Sequence, residues 1–269
     1  MTEAKAISNS QFPRTRETLT QDFISAGLTP GINVIVHSSL SSLGWVCGGA
    51  VTVIQALMDV VTSNGTLVMP THSNDYSDPE AWQNPPVPSE WWQTIRDTMP
   101  AYDARITPTR NMGKIAEVFR TYENVLRSSH PNFSFAAWGN HAEVIIKNHS
   151  LNYSLGEESP LARLYDLDGY VLLLGTQYDT CTAFHLAEYR IGNIKITSYG
   201  APIVEAGNRV WKTYFDIDFD TDCFINMGED FEKRGYVKKS QVGSAQTNFF
   251  AVRDAVDFGV NWLKSNKSN

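Results

Sequence analysis

The residues best suited to chemistry lie in three short stretches. One is Asp179-Thr180-Cys181-Thr182-Ala183-Phe184-His185-Leu186-Ala187-Glu188. His185 and Glu188 stand three apart, so on a helix they share a face. A carboxylate beside an imidazole fixes its tautomer and stabilises the imidazolium, which a general base needs near neutral pH. Asp179, six residues before His185, is placed either to cap that helix or to reach the same site. A His-x-x-Glu pair alone equally describes a structural surface pair; its position soon after the apolar run Tyr170 to Leu174 favours the chemical reading. Cys181 lies four residues before His185, so a thiolate nucleophile competes as an assignment. A buried, inert cysteine is the commoner case.

A second stretch, His37-Ser38-Ser39-Leu40-Ser41-Ser42-Leu43-Gly44-Trp45 followed by Gly48-Gly49, leaves an apolar strand and leads into a helix. Ligands of open α/β sheets usually sit at such a junction. Small hydroxyl residues and glycines there expose backbone N–H groups beside a helix N-terminus, which suits a pyrophosphate. Neither Gly-x-x-x-x-Gly-Lys nor Gly-x-Gly-x-x-Gly occurs, so this is not a P-loop or a dinucleotide fingerprint. A turn rich in N-cap residues is the alternative. The third stretch, Arg127 to Gly139, mixes a cation, hydroxyls and aromatics, suited to an anionic, partly apolar ligand. His130, His141 and His149 invite a metal, but their spacings match no common zinc pattern and no metal is expected.

Periodicity supplies the elements that must position these residues. It predicts a helix over Arg16 to Ala26, a buried strand Asn33 to His37, and a helix Ala50 to Thr62 stopped by Asn64-Gly65. A strand Thr66 to Met69, closed by Pro70, completes a βαβ unit. Ser73 to Pro88, rich in Pro, Trp and Asp, reads as a long functional loop. Further helices are expected over Ser89 to Asp97, Arg110 to Arg120, Ala142 to Asn148 and Thr182 to Arg190. Strands are expected at Phe133 to Trp138 and Gly169 to Leu174. Lys195 to Asp220 alternates apolar and polar residues around Ala206-Gly207-Asn208, an antiparallel hairpin pattern. A helix over Ala251 to Lys264 follows. The expected class is α/β, a mixed sheet covered by helices with an antiparallel appendage.

The 269 residues, 42% hydrophobic and 19% charged, suffice for one large α/β domain or two small ones; a single domain over 1–269 is expected. With a net charge of -7 and no extended basic run beyond the short pairs Lys233-Arg234 and Lys238-Lys239, nucleic acid is not an expected partner. Eight acidic residues against two basic ones fall between Glu205 and Glu232. That run is either a solvated acidic face or a field that draws in a polycation. Three scattered cysteines, Cys47, Cys181 and Cys223, offer no disulfide framework or zinc ribbon. Apolar runs are too short to cross a membrane, and no signal-peptide core is visible. A cytoplasmic protein is expected.

Read together, Val36 to Gly44, Arg127 to Gly139, Gly156-Glu157-Glu158-Ser159-Pro160-Leu161 and Gly169 to Glu188 resemble the aminoglycoside 3-N-acetyltransferase family. They occur in the family's order, the similarity runs from about residue 17 to 262, and it is nearest to the chromosomal branch of Gram-positive bacilli. The resemblance implies the family's own antibiotic N-acetyltransferase fold, distinct from the GNAT fold, and acetyl-CoA as co-substrate. The implied acceptor is a cationic small-molecule amine, above all the 3-amino group of a 2-deoxystreptamine aminoglycoside. It implies His185 as catalytic base, Glu188 as its supporting carboxylate, and Asp179 as the acidic residue opening the motif. His37, Ser38, Ser39, Leu40 and Ser41, with Ser134 and Phe135, correspond to the cofactor-binding segment. Asp75 and Asp218 are the implied acceptor-binding carboxylates, although the loop Thr71 to Asp75 departs from that of the clinical resistance enzymes.

In the implied reaction His185 takes a proton as the amine attacks the thioester, and an N–H or hydroxyl near Ser38 or Thr182 meets the oxyanion. The alternatives are another amine or amino sugar as acceptor, or a ping-pong route through Cys181. A serine hydrolase using Ser38 or Ser39 lacks a Gly-x-Ser-x-Gly elbow, and a non-catalytic CoA-binding module is the remaining option.

Overall fold

The computed structural model describes residues 3–8, 10–192 and 194–266. It begins with α1 (Glu3–Ser8) and α2 (Arg16–Ala26). Thr15 and Thr18 form a reciprocal capping box at the start of α2, and Gly27, at φ 118°, closes it. Then come β1 (Asn33–Ser38), α3 (Gly49–Val61) and β2 (Thr66–Pro70), the expected βαβ unit. α4 (Trp92–Thr98), α5 (Gly113–Phe119), β3 (Leu126–Arg127), β4 (Phe135–Gly139) and α6 (Ala142–Ile146) follow. The rest is α7 (Pro160–Asp166), β5 (Tyr170–Leu174), α8 (Ala183–Arg190), β6 (Ile196–Glu205), β7 (Asn208–Ile217), α9 (Phe224–Lys233), β8 (Lys238–Val242), β9 (Ala245–Ala251) and α10 (Val252–Asn266).

Seven strands make one mixed sheet in the order β3-β4-β2-β1-β5-β9-β8, and β6 with β7 forms a separate two-stranded ribbon. β1 lies between β2 and β5 and runs parallel to both, while β4 and β9 are antiparallel to their neighbours. Successive residues of a strand face opposite sides. Val34 and Val36 of β1 therefore join the core under α2, α3 and α5, whereas Ile35 joins the core under α6 to α10. Both faces of the central strands are buried, as a parallel sheet requires.

Several expectations change in detail. The helix expected from Arg110 starts only at Gly113, because Asn111 and Gly113 adopt positive φ of 60° and 79°. Ser89 to Trp91 is a single 3₁₀ turn ahead of α4. α7, α9 and the β8–β9 hairpin were not anticipated. α9 does carry an apolar face, Phe224, Met227, Gly228 and Phe231, but acidic residues on its other side mask it. β8 is an edge strand with exposed lysines, a common protection of a sheet edge.

Candidate active site

The chain leaves β1 at Ser38, β2 at Pro70 and β5 at Leu174, and these three parallel strands end side by side. From β1 it turns to β2 on one side and returns to β5 on the other, so a crevice opens at the carboxyl ends. A cavity of about 660 Å³ occupies that crevice, lined by His37, Ser38, Ser39 and Ser41 from the first turn and by Asp179, Thr182 and His185 from the last. The serine turn and the imidazole thus meet in one space.

The turn is held from below. Ser39 N–H donates to Leu174 O at 2.9 Å, and Ser42 Oγ reaches Ser39 Oγ at 2.9 Å and Gly175 O at 3.1 Å. The Ser39 and Ser41 hydroxyls lie 3.3 Å apart at the cavity edge. His37 Nε2 sits 3.4 Å from Thr182 Oγ1, a contact that ties the β1 turn to the start of α8. Burial lowers the His37 pKa to about 3, with His185 adding to the effect, so this ring is neutral at physiological pH.

His185 lies in the first turn of α8 and is only 9% exposed. Its Nδ1 meets Glu188 Oε2 at 2.6 Å, leaving Nε2 as the nitrogen open to a ligand. The Phe219 and Phe224 rings stand 4.9 Å from the imidazole and limit its rotation. One residue past Glu188, the Tyr189 hydroxyl donates to Asp216, which is fully buried and also accepts from Ser154 N–H, Ser154 Oγ and its neighbour Ile217 N–H. Four donors satisfy that carboxylate, and they lock α8 to the β6–β7 ribbon.

Other expected site residues lie elsewhere. Ser134 is fully buried, its hydroxyl spent on Thr71 O at 2.8 Å and on the Arg127 guanidinium at 3.1 Å. Phe135 is fully buried too and packs its ring against His72. Neither lines the cavity. Asp218 is paired with Lys195 at 2.6 Å on the surface, because the ribbon turns it away. Asp75 lines a second cavity of about 350 Å³ with Trp82 and Arg110, which shares Asn74 and Asn111 with the first. Asp179 lines the main cavity but makes no hydrogen bond to His185 among the described residues. Cys181 is fully buried, and burial pushes its thiol up to about 12.

Much of the acidic run is committed to structure: Glu205 to Lys212, Asp230 to Lys233, Glu232 to Lys239, and Asp216 inside the protein. The ring nitrogens of His130 and His149 are taken up by backbone and hydroxyl groups. Sequence reasoning placed His72 only within the acceptor-side loop Thr71 to Asp75, without a role, and missed Lys114, Phe219 and Thr221; all four line the cavity. Lys114 carried only a weak signal, the Arg110-Asn111-Met112-Gly113 turn before it. It is exposed at the start of α5 and has no ion-pair partner among the described residues. Phe219 and Thr221 sat within the acidic run and were read with it.

A family model described as aminoglycoside 3-N-acetyltransferase matches residues 35–264. The chain is 52% identical over 265 residues to the SPbeta prophage-derived aminoglycoside N(3')-acetyltransferase-like protein YokD of Bacillus subtilis, covering 98% of this chain and 97% of that one. The crystal structure of YokD superposes with a TM-score of 0.98 at 51% identity, over 99% of each chain. A binary complex of AAC-IIIb with CoASH gives a TM-score of 0.84 at 29% identity, over 94% of this chain and 97% of that one. AAC-VIa bound to sisomicin gives 0.86 at 29% identity, over 96% and 100%.

Proposed function

The chain belongs to the aminoglycoside 3-N-acetyltransferase family and is an acyltransferase of that type; from this premise we propose that it moves the acetyl group of acetyl-CoA directly onto an amine, with His185 as the base. The observation that carries the reading is the His185–Glu188 pair, 2.6 Å apart, in the cavity that the serine turn also lines. The acceptor in this reading is the 3-amino group of a 2-deoxystreptamine aminoglycoside. AAC-VIa is a structural neighbour bound to sisomicin, and Asp179 and Asp75 are the carboxylates available to the acceptor's other ammonium groups.

The cofactor side draws on the AAC-IIIb neighbour bound to CoASH. The hydroxyls of Ser39 and Ser41 and the ammonium of Lys114 line the same cavity and suit a pyrophosphate. The acetyl thioester then extends toward His185. As the amine nitrogen attacks the carbonyl carbon, His185 Nε2 takes the ammonium proton and Glu188 balances the imidazolium. Collapse of the tetrahedral intermediate breaks the carbon–sulfur bond, and the proton returns to the departing thiolate. The products are an amide and CoA thiol. In this reading residues 1–269 act as one domain in the cytoplasm, where acetyl-CoA is available. No helix among the described residues is long and apolar enough to cross a membrane.

The test is thiol release from acetyl-CoA against a panel of amines that includes 2-deoxystreptamine antibiotics. Release with at least one aminoglycoside is the expected result. His185→Ala should lower turnover by about 10²-fold or more while CoA affinity stays nearly constant. A fully active His185→Ala enzyme removes the assignment of the base, and CoA binding without thiol release for any amine removes acetyl transfer altogether.

A further inference from the structure

Five of the six histidines have a ring nitrogen engaged by the protein. His37 meets Thr182, His130 the Leu151 carbonyl, His141 the Asn33 side chain, His149 Ser128, and His185 Glu188. His72 is the exception among the described residues. Its Nε2 is buried without a hydrogen-bond partner, and the residue is only 6% exposed. Leaving a buried polar atom unpaired costs roughly 1–3 kcal/mol, and native proteins keep few of them without a reason.

The ring is nonetheless held in place. Phe133 and Phe135 pack against it edge-on, each with ring centroids 5.3 Å away. On either side, Thr71 N–H donates to Ser134 O and Ser73 N–H to Asn132 O, both at 2.8 Å. Arg110 N–H donates to the His72 carbonyl at 2.8 Å. Backbone and aromatic packing therefore position an imidazole that no internal hydrogen bond uses. It lines the same cavity as Ser38, Thr182 and His185. Burial, joined by repulsion from His185 and His37, lowers its pKa to about 3, so at neutral pH it carries one N–H and no charge.

A neutral imidazole in a dry site donates a hydrogen bond without giving up its proton and without reorganising at the moment of reaction. We propose that His72 donates its imidazole N–H to the thioester carbonyl oxygen as that oxygen becomes an oxyanion, and so acts as the electrophilic partner of the base His185. The inference rests on the acetyl-transfer reading above. The surroundings of the two rings differ in the sense this division of labour needs. His185 has a carboxylate at 2.6 Å that faces its Nδ1 and orients Nε2 for proton transfer, whereas His72 is flanked by aromatic edges and has no charged partner among the described residues.

His72→Phe keeps an aromatic ring between Phe133 and Phe135 and removes the N–H; His72→Gln returns an N–H donor. Steady-state kinetics with acetyl-CoA and the best amine, CoA calorimetry and thermal melts are compared with wild type. For the phenylalanine variant kcat should fall by about 10²-fold or more, with CoA affinity unchanged. The glutamine variant should regain about tenfold of that loss. A phenylalanine variant with kcat near wild type overturns the proposal. So does a loss confined to KM, or a glutamine variant no better than phenylalanine. If the phenylalanine variant fails to fold, His72→Ala replaces it in the comparison with glutamine. A wild-type enzyme that releases no thiol with any amine refutes the acetyl-transfer reading itself, a failure distinct from that of His72.

Discussion

At His185, Nδ1 meets a carboxylate that is itself only 2% exposed. With little water to compete, the hydrogen bond holds the ring in one tautomer and presents Nε2 to the cavity. Cys181, four residues earlier, has the opposite environment. It is fully buried in the apolar cluster that contains Phe184 and Phe224, and burial pushes its thiol up to about 12. A nucleophilic cysteine needs a thiolate and an open path to the substrate, and Cys181 has neither. Cys181→Ser should therefore keep kcat within a few-fold of wild type. The buried hydroxyl should cost about 1–3 kcal/mol of stability. Loss of turnover at unchanged CoA affinity, or a burst of thiol release in wild type without amine, would revive the ping-pong route.

Among the elements, α8 depends on its neighbours for position. Its leading 3₁₀ turn contains Tyr178, whose ring fills the space above Gly228 of α9 and whose hydroxyl donates to Glu232 at 3.1 Å. A Cβ at residue 228 would lie 2.0 Å from the Tyr178 ring, so the glycine permits this close approach. Gly228→Ala should displace Tyr178 and destabilise the protein by about 1–3 kcal/mol. In a chain of this size that is a loss of several degrees in Tm. Glu229→Ala, on the exposed side of α9, should stay within about 0.5 kcal/mol; equal melting of the two variants would refute the packing argument. The legibility of the sequence follows the same physics. β1, β2, β5 and α8 were readable because continuous apolar runs and short turns are local signals. The position of His185 after β5 came with them. His72 and Lys114 were not readable, because their proximity to His185 exists only once β2 and α5 have docked beside β1. Ser134 was misread because a hydroxyl next to an aromatic looks the same whether it lines a cavity or closes one.

For the whole molecule, four buried imidazoles make stability depend on pH. Burial is the first cause in each case: His37 and His72 fall to about 3, His149 to about 4, and His130 well below its ordinary value. An unfolded histidine binds a proton near pH 6.5. Between that pH and the depressed folded values the unfolded chain holds more protons than the folded one, so stability rises with pH. It is fully present above about pH 6.5 and is lost as pH falls toward the folded values. Each such histidine forfeits up to about 1.4 kcal/mol per pH unit within that window. His37, His72 and His149 together can remove about 4 kcal/mol by pH 5.5, a large share of an ordinary domain's 5–15 kcal/mol, and His130 acts in the same direction. Depressed carboxylates such as Glu117, held at about 2, and Asp103 and Glu157, held low beside arginines, act in the same direction. They do so only below about pH 4.5, where unfolded carboxylates begin to protonate, so the interval from pH 7 to 5.5 belongs to the histidines. Urea midpoints measured without ligand should be flat from pH 8 to 7 and fall steeply from 7 to 5.5. An unchanged midpoint across that lower interval would mean that these rings admit a proton, and the neutral role assigned to His72 would fall with it.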